Sequence, residues 1–146
     1  MVRVLDNFLD EDTLQEIIED ASSCLNNECY FAKACYRSDD LTHIYEHIKN
    51  DIDNAFDINI VRMSLFKHPV ENFPEMVTNP PQHIDRNSTH SGVLYLVGDI
   101  GMGTTIDTEY IEFEKNRIIC FDGHIPHNSN FGGKDRIVLT FFGNKT

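Results

Sequence analysis

The sequence of 146 residues has no long hydrophobic run and few basic residues. No apolar stretch approaches the roughly 18 residues of a transmembrane helix. The N-terminus turns acidic at Asp6, without the apolar core of a secretory signal. Because 24 acidic residues stand against 12 basic ones, the formal net charge is −12, which disfavours general binding of nucleic acid. We therefore expect a cytoplasmic protein with no membrane segment.

The sequence also lacks a C-x-x-C pair. Its cysteines are Cys24, Cys29, Cys35 and Cys120, and the spacings of the first three do not match a zinc knuckle. In an intracellular protein such cysteines are expected to be reduced thiols.

The length fits one domain over residues 1–146, and 40% of the residues are apolar, enough for a core. Two stretches of helical periodicity, both within residues 1–58, predict helices that support a β-rich core, a sandwich or barrel, over residues 59–146. The apolar positions of the first are Leu14, Ile17, Ile18, Ala21 and Leu25, after the cap candidates Asp10 and Asp12. Those of the second are Leu41, Ile44, Tyr45, Ile48, Ile52 and Ala55.

From residue 59 the pattern changes to a period of two. Strands are predicted at 60–66, 83–86, 92–97, 105–113, 117–121 and 136–142, with turns at 98–103 and 115–116. The proline-rich stretch 67–82 is predicted to be a long loop, and a substrate lid is one use of such a loop. Helices followed by many short strands indicate an α+β, mainly β fold with an antiparallel sandwich or barrel.

Two segments carry candidate metal ligands. In a strand at 83–86, His83 and Asp85 share one face and Ile84 packs on the other. Further along, either His124 or His127 could supply a third ligand. Two histidines and one carboxylate form the facial triad of non-haem iron(II) oxygenases, which leaves coordination positions open.

Arg136 opens a predicted strand and shares a face with Val138, Thr140 and Phe142. An arginine on an apolar face is costly unless it is paired, and a bidentate carboxylate is its best partner. That carboxylate could belong to a ligand.

In this order of residues the chain resembles the Fe(II)- and 2-oxoglutarate-dependent dioxygenases, and within them the prolyl-4-hydroxylase-like branch. The family pattern is His-x-Asp, then a histidine, then an arginine or lysine about ten residues on. His83-x-Asp85, His127 and Arg136 match it, and the spacing to Arg136 selects His127 over His124. Residues 91–97 and 101–105 resemble the strand and glycine turn that follow the first two ligands.

The resemblance implies a double-stranded β-helix, a jelly-roll-like barrel, with two N-terminal helices on its larger sheet. It implies Fe(II) bound by His83, Asp85 and His127, with 2-oxoglutarate and O2 as cosubstrates. Arg136 and Tyr95 would bind the far carboxylate of 2-oxoglutarate, and Thr140 would lie near it.

The reaction implied is hydroxylation of a C–H bond, with release of succinate and CO2. The substrate would be a protein side chain such as proline, or a small molecule. Phe66 departs from the pattern, because relatives often carry a tyrosine there.

Other interpretations of these residues remain open. His83 and Asp85 could be a surface pair, Arg136 could make a structural salt bridge, and Tyr95 and Thr140 could be ordinary core and strand residues. A cupin-like enzyme with zinc or manganese, a barrel that binds without turnover and a partner-binding module are the alternative functions.

A zinc peptidase is a further alternative, since residues 43–47 match its H-x-x-E-H pattern. However, His43 and His47 lie opposite the apolar stripe of the predicted helix and are expected to face solvent. His68 and His90 are predicted to lie in loops.

Overall fold

The computed structural model describes residues 2–25, 27–31, 33–69 and 81–146. Within them the chain forms two helices and ten strands. In order these are β1 (Arg3–Leu5), α1 (Glu11–Cys24), β2 (Asn27–Phe31), β3 (Lys33–Arg37), α2 (Glu46–Phe56), β4 (Ile58–His68), β5 (His90–Val97), β6 (Thr104–Ile106), β7 (Glu109–Ile111), β8 (Ile118–Asp122), β9 (His127–Ser129) and β10 (Arg136–Lys145).

The strands form two antiparallel sheets. The larger has seven strands in the order β1-β8-β5-β10-β4-β3-β2, and the smaller has three in the order β7-β6-β9. The predicted class, mainly β with two helices and antiparallel pairing, is confirmed. The first 58 residues contribute strands β1 to β3 in addition to both helices.

Helix α1 begins where the sequence predicts. The side chain of Asp10 accepts a hydrogen bond from the backbone N–H of Thr13, a normal N-cap. Its buried side chains Leu14, Ile17 and Ala21 are three of the five predicted apolar positions.

Helix α2 begins at Glu46, so the prediction that helical periodicity starts at Leu41 is wrong. Asp40 accepts hydrogen bonds from the backbone N–H groups of Thr42 and Met63, which hold the chain in a turn before the helix. Leu41 and Tyr45 are nevertheless buried, whereas Ile44 is 68% exposed.

Alternation along the strands separates two apolar clusters. One lies between the helices and the larger sheet and includes Leu94 and Leu96. The other lies between the two sheets, and its buried members are Val93, Tyr95, Ile106, Ile119, Phe121 and Val138. Neighbouring residues of β5 therefore serve opposite layers, and the face turned toward the smaller sheet carries the candidate site.

Strands β4 and β10 pair along their whole length. Their register sets Arg136 opposite His68, Val138 opposite Phe66, Thr140 opposite Ser64 and Phe142 opposite Arg62. The prediction that His68 and His90 lie in loops is wrong, because His68 ends β4 and His90 begins β5. Pairing with β10 extends β4 two residues past the predicted end at Phe66, so the strand ends at His68, just before Pro69.

Three other strand predictions need correction. Residues 105–113 form two strands, β6 and β7, joined by a tight turn in which Asp107 has a positive φ of 55°. Residues 83–86 form only an isolated bridge between His83 and His127, and Ile84 is 36% exposed instead of packed. The prediction of a loop with a lid over 67–82 falls mostly on residues 70–80, outside the described residues.

Cys35 is buried and disulfide-bonded, so the prediction of reduced thiols is wrong for this residue. Its backbone lies in the antiparallel β2–β3 pair, where cross-strand positions come close enough for such a bond. Cys24 and Cys120 are free thiols. Among the described helices, none has the length and apolar character needed to cross a bilayer.

Candidate functional site

His83, Asp85 and His127 come together at one end of the cleft between the sheets. One potential ligand atom from each lies within 4.8 Å of the others. His127 Nε2 is 3.0 Å from Asp85 Oδ2, and His83 Nε2 is 3.7 Å from Asp85 Oδ1. Two ligands that each bind one cation at about 2.0–2.2 Å are separated by such distances. The donor set therefore fits a divalent metal of the first transition row.

Backbone hydrogen bonds fix the two ligand segments against each other. The N–H of His83 donates to the carbonyl of His127 at 3.0 Å, and the N–H of His127 donates to that of His83 at 2.9 Å. Two residues on, the N–H of Asp85 donates to the carbonyl of Gly123 at 2.8 Å. Because of this short antiparallel contact, the three side chains converge although His83 and Asp85 lie in no named strand.

His127 is oriented by its own turn. Its Nδ1 lies 2.7 Å from the carbonyl oxygen of Ile125, which accepts a hydrogen bond from the N–H of that nitrogen. Nε2 is therefore the nitrogen that faces Asp85 and that would bind a metal. His124, the alternative ligand, is exposed and lies outside the cluster of three.

Asp85 is held as a carboxylate. Burial raises its pKa, but hydrogen bonds from His127 and Ser91 and the charges of both histidines outweigh this and lower it. The Ser91 hydroxyl donates to Oδ2 at 2.5 Å. Gly123 leaves room for that hydroxyl, since a Cβ on Gly123 would lie 2.7 Å from Ser91 Oγ.

His83 stands at the mouth of the site, with 58% of its side chain exposed. Partial burial and the neighbouring His127 lower its pKa, while Asp85 opposes them. The neutral imidazole, the form that binds metals, is therefore favoured.

A cavity of about 460 Å³ opens beside this cluster. His83, Asp85 and Asn128 lie on its wall, and most of the remaining wall is apolar. Its further lining residues are Phe66, His68, Pro81, Val93, Ser129, Phe131, Arg136, Val138, Thr140 and Phe142.

Arg136 lies on the wall of this cavity and its residue is 0% exposed. Its Nε donates to the carbonyl of Met102 at 2.9 Å and its Nη2 to that of Gly103 at 3.1 Å. Burial lowers the pKa of the guanidinium, which nevertheless stays charged. Among the described residues it has no carboxylate in ion-pair distance, so a buried positive charge faces the cavity without a counter-ion.

Tyr95 and Thr140 lie near Arg136 in different ways. The Tyr95 ring packs under the guanidinium at 5.8 Å, and its hydroxyl is 2.7 Å from Thr104 Oγ1. Tyr95 is fully buried and is not on the cavity wall. Thr140 is on the wall, and its hydroxyl donates to the carbonyl of Ser64 at 3.2 Å.

Four residues of the site were not found from the sequence: Ser91, Thr104, His68 and Gly123. Ser91 is the first residue of the stretch 91–97, and strand alternation relative to Val93 and Tyr95 would have placed it on the site's face. Nothing local distinguishes the other three, because their roles depend on pairing with distant segments.

Comparison with solved structures identifies proteins that share this fold. A prolyl hydroxylase from Trichoplax adhaerens, in complex with a hypoxia-inducible-factor peptide, is 12% identical with a TM-score of 0.72 and covers 97% of this chain and 82% of its own. A viral collagen prolyl hydroxylase from Paramecium Bursaria Chlorella virus-1, bound to 2-oxoglutarate, is 11% identical with a TM-score of 0.68. The match covers 99% of this chain and 96% of the viral one. HygX from Streptomyces hygroscopicus, with nickel, 2-oxoglutarate and hygromycin B bound, is 6% identical with a TM-score of 0.70. The match covers 99% of this chain and 83% of HygX.

The chain has the fold of the 2-oxoglutarate- and iron(II)-dependent oxygenases. The resemblance to this superfamily, with a prolyl-hydroxylase-like branch, is thereby confirmed at the level of the fold. No protein-family model and no curated protein matches the sequence. At these low identities, the assignment of a function depends on the site itself.

Proposed function

We propose that the protein is an Fe(II)- and 2-oxoglutarate-dependent oxygenase that hydroxylates an unactivated C–H bond and releases succinate and CO2. The observation that carries this proposal is Arg136, a buried cation without a described counter-ion, on the wall of the cavity that also holds His83 and Asp85. Arg136 and two of the three candidate metal ligands therefore line one cavity.

His83, Asp85 and His127 would hold Fe(II) through two imidazole nitrogens and one carboxylate. Three protein ligands leave open positions on the metal, as a facial triad requires. Bound there, iron supplies the oxygen activation and the oxidative decarboxylation of the 2-oxo acid. Ser91 and the Ile125 carbonyl orient Asp85 and His127 for this task.

The remaining residues position the 2-oxo acid and exclude water. Arg136 pairs with its far carboxylate, and this interaction is strong because the guanidinium is out of solvent. Tyr95 supports the guanidinium from below, and Thr140 flanks the ligand. Phe66, Val93 and Val138 make the wall dry, which protects reactive species from water.

We further propose that the two sheets form the double-stranded β-helix of this superfamily, with the site at its open end. Among the similar solved structures, one holds a hypoxia-inducible-factor peptide and another holds hygromycin B. For this chain we propose a protein side chain, with proline as the first candidate, because two similar structures are prolyl hydroxylases.

An anaerobic titration tests the core of the proposal. Purified protein receives Fe(II) and then 2-oxoglutarate while the visible absorbance is followed. We expect a charge-transfer band that needs both components and is lost in His127→Ala. In air, succinate should then form slowly without added substrate and faster when a peptide panel contains the substrate.

Two alternatives predict different results. A cupin-like enzyme would bind zinc or manganese and give no band with 2-oxoglutarate. A binding module without turnover would give the band and no succinate in air with any substrate. The charge of Arg136, which has no carboxylate partner among the described residues, favours the oxygenase over the first, because a cupin-like site leaves that charge without a role.

A further inference from the structure

A second cavity, of about 340 Å³, adjoins the first. The two cavities share Asp85 and Phe142 on their walls. A ligand in the second cavity therefore lies beside a candidate metal ligand, although the mechanism proposed above gives this cavity no role. We call it the basic groove, and its other lining residues are Val61, Arg62, Arg86, Asn87 and Ser88.

The basic groove lies away from the Arg136 end of the site. In the paired strands β4 and β10, Arg136 stands opposite His68, whereas Phe142 stands opposite Arg62. Six residue steps along β10 separate the two pairs, which is about 20 Å at the usual rise of a strand. Because 2-oxoglutarate is much shorter than this, an acid bound at Arg136 leaves the basic groove free for a second molecule.

The basic groove has the opposite charge to the chain as a whole. The chain carries 24 acidic residues against 12 basic ones, yet the groove is lined by two arginines and one carboxylate, that of Asp85. Asp85 is a candidate metal ligand, so a bound divalent cation would more than balance its charge. A local positive field on an anionic protein concentrates anions at this place, which indicates an anionic ligand.

Arg62 and Arg86 are available to bind such a ligand. Both are exposed, and neither forms a hydrogen bond or an ion pair with the residues that the structure describes. Arg62 helps to lower the pKa of Asp40, but the oxygens of that carboxylate accept hydrogen bonds from Thr42 and Met63. The forked guanidinium matches a carboxylate, which is therefore the expected partner of these two side chains.

Ser88 gives a second indication of a ligand. The residue is 5% exposed and lines the basic groove. Its hydroxyl has no hydrogen-bond partner in the described part of the chain, and it is not fully enclosed, in contrast to the unpaired hydroxyl of Ser64. Buried polar groups are normally paired, so this hydroxyl provides a free donor for a ligand in the groove.

We propose that the basic groove binds the substrate through a carboxylate, and that the substrate is an acidic peptide segment with Asp or Glu beside the residue that is hydroxylated. This inference rests on the proposed function. Arg62, Arg86 and Ser88 supply the donors, and Val61 and Phe142 supply apolar contacts for neighbouring side chains. Since both arginines and Val61 are exposed, the groove is open along the surface and can hold part of a longer chain.

The test measures the binding of three pools of short, fluorescently labelled peptides with a central proline. The flanking residues are Asp and Glu in the acidic pool, Asn and Gln in the amide pool, and Lys and Arg in the basic pool. The protein is loaded with Fe(II) and saturating 2-oxoglutarate without oxygen, and each Kd is measured by anisotropy. We expect the acidic pool to bind about tenfold more tightly than the amide pool at low salt, and this preference to decrease as salt is added.

Variants connect this preference to the groove. Arg62→Gln and Arg86→Gln should each reduce the ratio of the two Kd values to about threefold or less, and Arg62→Glu should favour the basic pool. Lys115→Gln is the matched control, because it removes one positive charge at an exposed turn outside the groove and should keep the ratio of wild type. A general loss of structure weakens the binding of both pools and leaves their ratio unchanged.

Several outcomes overturn the inference. Equal Kd values of the acidic and amide pools in wild type do so, as does an absence of binding by all three pools. An equal loss of preference in Lys115→Gln and Arg62→Gln would show an effect of overall charge alone. Displacement of the acidic pool by N-acetylaspartate as effectively as by an unlabelled acidic peptide would show that the groove takes a small acid instead of a peptide.

The proposed function fails separately. The charge-transfer band of wild type with Fe(II) and 2-oxoglutarate is recorded in the same samples before peptide is added. Its absence overturns the proposed function itself. A normal band without a preference for acidic peptides overturns only the role given to the basic groove.

Discussion

His127 and Asp85 face each other across the candidate metal site, with Nε2 of the histidine 3.0 Å from Oδ2 of the aspartate. The same carboxylate oxygen accepts a hydrogen bond from the hydroxyl of Ser91. The second oxygen, Oδ1, faces His83 at 3.7 Å. The carboxylate therefore contacts both candidate imidazole ligands and a positioning serine.

Asp85→Ala should abolish Fe(II) binding and succinate formation while the fold persists. The side chain is a candidate ligand and lies outside both apolar clusters, so its loss removes metal affinity and little packing. Iron content after dialysis and circular dichroism check this. Asp51→Ala, at an exposed carboxylate of α2, is the matched control and should behave as wild type. Full turnover in Asp85→Ala would exclude the three-residue metal site.

Ser91→Ala should weaken Fe(II) binding about 10- to 100-fold, the usual effect of losing a group that orients a metal ligand. The hydroxyl holds Oδ2 of Asp85 and helps to lower its pKa. The measurement is a competition titration of Fe(II) against a chelator of known affinity.

Ser64→Ala is the matched control for this variant. Ser64 is also a buried serine on a strand, but its Oγ has no hydrogen-bond partner among the described residues. Its removal should leave the Fe(II) affinity unchanged and the free energy of unfolding equal or slightly higher. If both serine variants lose iron equally, Ser91 has no special role.

Arg136→Met should weaken 2-oxoglutarate binding strongly and leave the Fe(II) affinity unchanged, because the residue lines the cavity and is not in the metal cluster. It should also lower the free energy of unfolding by about 1–3 kcal/mol, since the carbonyl of Met102 loses its donor, whereas that of Gly103 keeps the N–H of Asn130. Anaerobic titration and urea unfolding measure the two effects. Arg136→Lys keeps the charge but loses the forked geometry, so its affinity for 2-oxoglutarate should lie between those of wild type and Arg136→Met.

The stability of the metal-free protein should depend on pH through His68. Its pKa is about 3 in the folded protein and near 6.5 when unfolded, so the unfolded state binds a proton that the folded state does not. The free energy of unfolding therefore falls as pH drops from about 6.5 toward 3, by roughly 1 kcal/mol per pH unit from this residue.

His68→Phe removes that contribution. Urea unfolding at pH 7, 5.5 and 4.5 measures the free energy of unfolding of both proteins. The value for the variant should rise relative to that of wild type at each step toward lower pH. Parallel stability curves for the two proteins would show that His68 takes up its proton as easily in the folded state as in the unfolded one.

The sequence located the candidate metal ligands better than it predicted the topology. His83, Asp85 and His127 were chosen by type and order, and the structure brings them together because of one short antiparallel contact. The alternation His-Ile-Asp imitates a strand, but the segment pairs only with His127. The correct face assignment of His83 and Asp85 thus came from a strand that the structure does not form.

Other features could not be predicted locally. β9 is three polar residues, His127–Ser129, with no alternation of apolar positions, so only its pairing with β6 defines it. His68 was placed in a loop because Pro69 follows it, yet its pairing with Arg136 makes it the end of β4. Such residues are specified by partners far away in the chain, which a local pattern does not contain.

The buried charge of Arg136, for which the described residues supply no carboxylate, also has a consequence for the lifetime of the protein. A ligand that binds only the folded chain raises its stability by mass action, and a carboxylate at Arg136 removes an unfavourable buried charge at the same time. On the proposed function, the folded fraction in a cell follows the concentration of 2-oxoglutarate. When carbon metabolism depletes this acid, more of the chain is exposed to proteases, so the amount of enzyme and its rate decline together.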